Sequence, residues 1–132
     1  MKRDMDLIRD ILLQIEKQDI NISQYEPIAV EGHTPMEVMQ HVKLMEQRGL
    51  VKDCLYDFAC NTCVRTITWE GYDYLELIRQ DTIWNKTKKT IAEKGLAITV
   101  GTIKTIATAF ITAAAEGVAN SIIKNGGQSD AD

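Results

Sequence analysis

Apolar positions in the first half of the chain recur at helical spacing in two places. Met5, Ile8, Leu12 and Ile15 stand 3, 4 and 3 residues apart, and Leu7 and Ile11 widen the stripe. This pattern predicts a helix over 3–18 that is buried on one side. Asp4 and Asp6 fall in its first turn, where the helix dipole favours acidic groups. Met36, Met39, Val42 and Met45 form the second stripe, joined by Val38. Thr34-Pro35 opens it with an N-cap and the residue best suited to the first helical position, and Glu37 stands at capping-box spacing. Gly49 supplies the stop.

The segment between these helices, 19–33, has no helical period. Pro27, the β-prone Ile28-Ala29-Val30 and Gly32 predict one short strand there. Beyond Gly49, residues 50–56 and 63–68 read as a hairpin. Val51, Leu55, Val64 and Ile67 are its apolar members, and 57–62 is its loop. Thr68 caps a third helix over 69–84, with Tyr72, Leu75 and Ile78 three apart and Trp69 and Leu77 extending the face. The order is helix, strand, helix, hairpin, helix. A helix feeding a two-stranded wing predicts a mostly α (α+β) chain with a winged-helix-like domain over 1–85. The departure is 19–33, which lacks the full helix that a helix-turn-helix carries at that point.

The last third has a different texture. From Gly95 to Ile123 the only charges are Lys104 and Glu116, and no proline interrupts. Leu96, Val100, Ile103, Ala107, Phe110 and Ala114 are spaced 4, 3, 4, 3 and 4, a heptad-type seam. The prediction is one long assembly helix over 86–124 and a polar tail over 125–132. Small residues (Ala113, Ala114, Ala115, Gly117) allow close helix approach, with Phe110 as anchor, so the chain is expected to form a homo-oligomer. Residues 96–119 are also long enough to span a bilayer, but Lys104, Glu116 and the threonines oppose a lone span. The alternative is a helix that assembles at a membrane, with Lys86, Lys88, Lys89 and Lys94 facing anionic headgroups. A docking helix for another protein is the third reading.

Composition narrows the function classes. The 132 residues are 45% hydrophobic and 26% charged, which excludes wholesale disorder and suits one modest domain with an appended helix. The net charge of −4 hides a split. Residues 1–85 hold nine basic and fifteen acidic side chains, net −6, while 86–132 hold six and four, net +2. A non-specific nucleic-acid binder needs the opposite field in its folded domain. Lys43, Arg48 and Arg65 are the best candidate DNA contacts, although Glu37, Glu46 and Asp53 are interleaved with them. Asp53 and Asp57 flank the wing and are expected to keep its edge soluble. Trp69, Tyr72, Tyr74 and Trp84 cluster in one window and are expected in the core.

Three cysteines without an apolar leader predict a reducing cytoplasm, with membrane association as the alternative. Cys60-x-x-Cys63 has zinc-clamp spacing, and Cys54 with His33 or His41 would complete four ligands. There is no second pair, so reduced thiols and no metal are expected. His33 with Glu31, or His41 with Glu46, lacks a nucleophile or a phosphate loop beside it. The sequence therefore predicts a binding protein with no cofactor, not an enzyme, whose partner is a protein or DNA.

Five stretches carry a resemblance. They are Met1-Lys2-Arg3-Asp4-Met5-Asp6-Leu7-Ile8-Arg9, His41-Val42-Lys43-Leu44-Met45, Gly49-Leu50-Val51, Ile67-Thr68-Trp69-Glu70-Gly71-Tyr72-Asp73-Tyr74-Leu75, and Arg79-Gln80-Asp81-Thr82-Ile83-Trp84. Over about residues 1–90 the chain resembles a phage and prophage group, domain-of-unknown-function family 2513. The resemblance implies a bacterial or phage setting and a winged-helix-like fold. In that setting an anti-phage effector acting through the C-terminal helix is the alternative to an interaction or regulatory protein. The resemblance brings no functional residues with it.

Overall fold

The structure, a computed structural model, describes residues 1–19, 21 and 26–130. Among them are five helices and one two-stranded antiparallel sheet: α1 Met5–Glu16, α2 Pro35–Arg48, β1 Val51–Tyr56, β2 Thr62–Ile67, α3 Trp69–Ile78, α4 Asp81–Glu93 and α5 Val100–Asp130. The chain divides into two compact units, Met1–Arg79 and Gln80–Asp132.

The first unit closes a core. Leu7, Ile8, Ile11, Leu12 and Ile15 of α1 are buried, as are Val38, Met39, Val42 and Met45 of α2. Val51, Val64 and Ile67 from the sheet and Tyr74, Leu75 and Ile78 from α3 complete it. Asp4 caps α1 by accepting from Leu7 N (3.1 Å). Thr34 caps α2 by accepting from Glu37 N, with Pro35 in the first turn. Gly49, at φ 82°, ends α2 in a left-handed cap: Gly49 N donates to Glu46 O and Leu50 N to Met45 O.

Four expectations are corrected in this unit. No strand forms at Ile28-Ala29-Val30; the segment makes one ladder-like bond, Ile28 N to Thr62 O (2.8 Å), and buries only Ile28. Residues 20 and 22–25 of the same 19–33 segment lie outside the described residues. Met36 is 49% exposed although it falls on the spacing of the α2 stripe. Leu55 is 62% exposed, whereas Val51 on the same strand is buried. The reason is Asp53, whose φ of 58° turns β1 so that positions four apart no longer share a face. Trp69 (82% exposed) and Tyr72 (44%) face solvent, because α3 buries the stripe Gly71, Tyr74, Leu75 and Ile78 instead. A Cβ on Gly71 would lie 2.0 Å from the Leu50 carbonyl oxygen, so only glycine lets α3 approach there.

The predicted helix over 69–84 is two helices, broken at Arg79-Gln80. Two groups anchor that break. Arg9, 8% exposed, donates from Nε to Ile78 O (2.8 Å) and from a terminal nitrogen to Arg79 O (2.7 Å), which satisfies carbonyls that α3 leaves open. Arg79 in turn forks onto the Glu16 carboxylate and reaches Glu76 at 2.7 Å.

The second unit corrects the long helix. The predicted helix over 86–124 is not one helix, because Gly95 (φ 64°) ends α4. Gly95 N donates to Ala92 O and Leu96 N to Ile91 O, the same terminal pattern that Gly49-Leu50 makes on α2. Leu96 therefore lies in the turn and is 47% exposed. Thr99 opens α5 by accepting from Thr102 N (3.1 Å). α4 and α5 pack on one another as a helical hairpin. Trp84, Thr87 and Ile91 are buried on α4, and Val100, Ile103 and Ala107 on α5. α5 continues to Asp130, so the helix extends into the predicted polar tail; Ala131 and Asp132 lie outside the described residues.

Candidate functional site

The three candidate DNA contacts sit on α2 and the hairpin that follows it. Lys43, half-buried on α2, places its ammonium 5.2 Å from the Tyr56 ring centre. Arg48 is exposed in the last turn of the same helix. Arg65 is exposed on the outer side of β2, where it lines a concave surface of about 420 Å³ with Asp53, Cys54 and Leu55. Two of the three cations thus have an aromatic ring or an acidic neighbour at hand. The first unit carries nine basic and fourteen acidic side chains, net −5.

The hairpin tip is built by Asp57, whose carboxylate accepts from Ala59 N (2.9 Å), Asn61 N (2.8 Å) and Asn61 Nδ2 (2.9 Å). These bonds hold its carboxyl below the usual carboxylate range. They also fix Cys60 at φ 64° and project Phe58 fully into solvent. Asp53 accepts from Thr66 Oγ1 at 2.8 Å and pins its own turned backbone.

The cysteines do not converge. β1 pairs Cys54 with Val64 and Leu55 with Cys63, so Cys54 and Cys63 occupy opposite faces of the hairpin. Cys60 lies in the loop with its Sγ 4.0 Å from Met36 Sδ. Burial pushes the Cys54 thiol up to about 12, and Glu46 beside it adds to the shift; burial raises Cys63 as well. Among the described residues, no group of three or more His, Cys, Asp or Glu is placed to hold a metal ion.

The histidines join helix starts. His41, 2% exposed, accepts from Asp4 N through Nε2 (2.9 Å), so Nδ1 carries the proton and donates to Glu37 O (2.8 Å). His33 Nδ1 lies 2.9 Å from a Glu37 carboxylate oxygen, and its Nε2 is 3.9 Å from Asp4. The bond to His33 holds the Glu37 carboxyl below its usual range. The partners are therefore Glu37 and Asp4, not the Glu31 and Glu46 that adjacency suggested. This cluster ties the start of α1 to the start of α2. It leaves His41 no ring nitrogen for a proton transfer or a ligand.

The basic set Lys86, Lys88, Lys89 and Lys94 is spread around α4 and its end. Lys88 lies 5.4 Å from the Trp84 ring centre and Lys89 reaches Glu93 at 3.9 Å; Lys86 and Lys94 are exposed. The seam residues divide more sharply. Val100, Ile103 and Ala107 are buried, Phe110 is half-buried and Ala114 is exposed. Every residue from Thr112 to Lys124 is exposed, including Val118 (60%), Ile122 (65%) and Ile123 (71%). Val100–Lys124 is long and apolar enough to cross a membrane, and only 6% of its most apolar stretch is buried. Past Ala114, the apolar Val118 and Ile122 follow at steps of four.

A family model, described as "Hypothetical protein (DUF2513)", matches residues 2–97. An "Uncharacterized protein" of Haemophilus influenzae (strain ATCC 51907 / DSM 11121 / KW20 / Rd) is 36% identical over 114 residues, 85% of this chain and 97% of that protein. No solved structure matches. The family match takes in the whole first unit and ends in the turn between α4 and α5. With nearly three quarters of its length matched, the chain belongs to the DUF2513 family.

Proposed function

We propose that the chain is a non-enzymatic, homo-oligomeric interaction or regulatory protein. The first unit is its winged-helix-like binding part, and the α4–α5 hairpin is its assembly part. The observation that carries the reading is α5: a helix whose apolar face is sealed by α4 at one end and bare at the other. An apolar helix face in water costs free energy that pairing with another surface recovers. For the first unit, a protein partner is favoured over DNA. Its net charge is −5, and its exposed large side chains include Phe58, Trp69 and Tyr72, of the kind that anchor protein contacts.

The test is the mass, by light scattering without detergent, of the full chain and of one ending after Thr112. A defined oligomer that falls to monomer on truncation supports assembly; a monomer in both refutes it. DNA is checked by anisotropy with a random-sequence duplex. Binding that weakens steeply with salt and falls with Arg65→Ala or Lys43→Ala would overturn the preference for a protein partner.

A second reading is favoured by the length and composition of Val100–Lys124: an effector whose C-terminal helix acts at a membrane. Full-length protein that floats with vesicles and stops bacterial growth on expression would favour it.

A further inference from the structure

α3 has two sides of opposite character. Gly71, Tyr74, Leu75 and Ile78 are buried against the core. Trp69, Tyr72, Asp73 and Glu76 stand at i, i+3, i+4 and i+7, which places them on one strip on the opposite side of the helix. All four are exposed, Trp69 at 82%. The strip is about 10 Å long, aromatic at its start and acidic at its end. α3 carries three carboxylates and no basic side chain. The cation beside the strip, Arg79, has its guanidinium shared by Glu16 and Glu76, so these three groups keep a net negative charge. Among the described residues, none forms an ion pair with Asp73.

We propose that this strip of α3 binds an arginine-bearing segment of a partner protein. The proposal rests on the reading of the first unit as a protein-binding part and names the chemistry of what it binds. A guanidinium suits both halves of the strip at once, because it stacks flat on an aromatic ring and forks onto a carboxylate. Trp69 and Asp73 are neighbours at i, i+4, so one side chain can meet the indole and the carboxylate together. Other rings of the chain already hold a cation of its own: Lys43 lies 5.2 Å from the Tyr56 ring centre and Lys88 5.4 Å from that of Trp84. Among the described residues, none is so placed over Trp69 or Tyr72. The alternatives fit the strip less well. An apolar partner would bury the Asp73 carboxylate without a counter-charge, and the phosphates of DNA or of a lipid surface would meet carboxylates.

Fluorescence anisotropy of a short fluorescein-labelled peptide of alternating Gly and Arg, titrated with the full chain at about 0.1 M salt, tests this. Trp69→Ala and Asp73→Asn are each expected to weaken binding about tenfold with an unchanged circular dichroism spectrum. Glu31→Gln, which removes an exposed carboxylate from the loop before α2, is expected to leave binding unchanged. The same peptide with Lys in place of Arg is expected to bind more weakly, and equal binding would overturn the choice of a guanidinium. Equal losses in Glu31→Gln and Asp73→Asn, with none in Trp69→Ala, would reduce the attraction to net charge and overturn the site. No binding by the native chain, with light scattering still reporting an oligomer, would overturn the site and leave assembly standing. A random-sequence duplex that binds the native chain but not Trp69→Ala would give the strip to DNA, and would overturn the preference for a protein partner with it.

Discussion

The two units solve the same problem to different degrees. Three helices and a hairpin in the first unit enclose a common core, in which Ile11, Leu12, Val42, Val64, Leu75 and Ile78 are fully buried. In the second unit two helices of unequal length bury one stripe each, and the longer one leaves Val118, Ile122 and Ile123 in solvent. Full burial of one such aliphatic side chain is worth roughly 1.5–3 kcal/mol. The first unit has collected that term internally; the second has left part of it uncollected. Arg9, His41 and Thr68 each bridge elements of the first unit, Thr68 by donating to Gly49 O and accepting from Gly71 N. Buried hydroxyls without a partner occur in both units, at Thr62 and Tyr74 in the first and at Thr87 in the second.

Substitutions that widen or narrow this contrast follow, by size of effect. Gly71→Ala is expected to cost about 3 kcal/mol or more, because the new methyl meets the Leu50 carbonyl. Gly117→Ala, the same change on the bare part of α5, is expected to stabilise by up to about 1 kcal/mol through helix propensity. Urea unfolding of both variants checks the pair; equal effects would erase the distinction between packed and bare surface. His41→Phe is expected to cost about 2 kcal/mol, since it orphans Asp4 N at the junction of α1 and α2. Amide exchange faster at Asp4 and in the first turn of α1 would locate that loss.

Thr87→Val is expected to stabilise the hairpin by about 1 kcal/mol, as it removes a buried hydroxyl that bonds to nothing. A loss of that size would mean the hydroxyl is satisfied. The smallest effect is in acid. The Arg79 guanidinium beside Glu16 holds its carboxyl below the ordinary value of 4.5. A lowered folded value means the contribution is complete above the unfolded value and is lost as pH falls through the folded one. The gap in urea midpoint between the native chain and Glu16→Gln is therefore expected above about pH 5, closing below about pH 4.

Much of the first unit was legible because local signals and period agreed. Thr34-Pro35, Gly49 and the stripe of α2 point to one helix, and β1 and β2 fall within a residue of the predicted 50–56 and 63–68. Where only spacing spoke, it misled. Tyr72, Leu75 and Ile78 are three apart, but a glycine, Gly71, marks the true contact, and glycine carries no hydropathy signal. Ile28-Ala29-Val30 has strand-like residues but only one ladder-like bond to hold it. The break after α4 was written in the chain: Lys94-Gly95-Leu96 repeats the Arg48-Gly49-Leu50 that ends α2. The heptad spacing ran straight across it and hid it. Of the candidate contacts, the seam was legible as apolar. Which half would stay bare depended on the length of α4, which no spacing within α5 encodes.

The most direct test is sedimentation equilibrium of the full chain and of Val118→Asp, in detergent-free buffer over a range of concentrations. The native chain should show a mass approaching a whole multiple of its 14.8 kDa. The variant, carrying a carboxylate on the exposed apolar end of α5, should remain at the monomer mass with an unchanged circular dichroism spectrum. A native chain that stays monomeric, or a variant that associates as well as the native chain, would contradict assembly through the exposed end of α5.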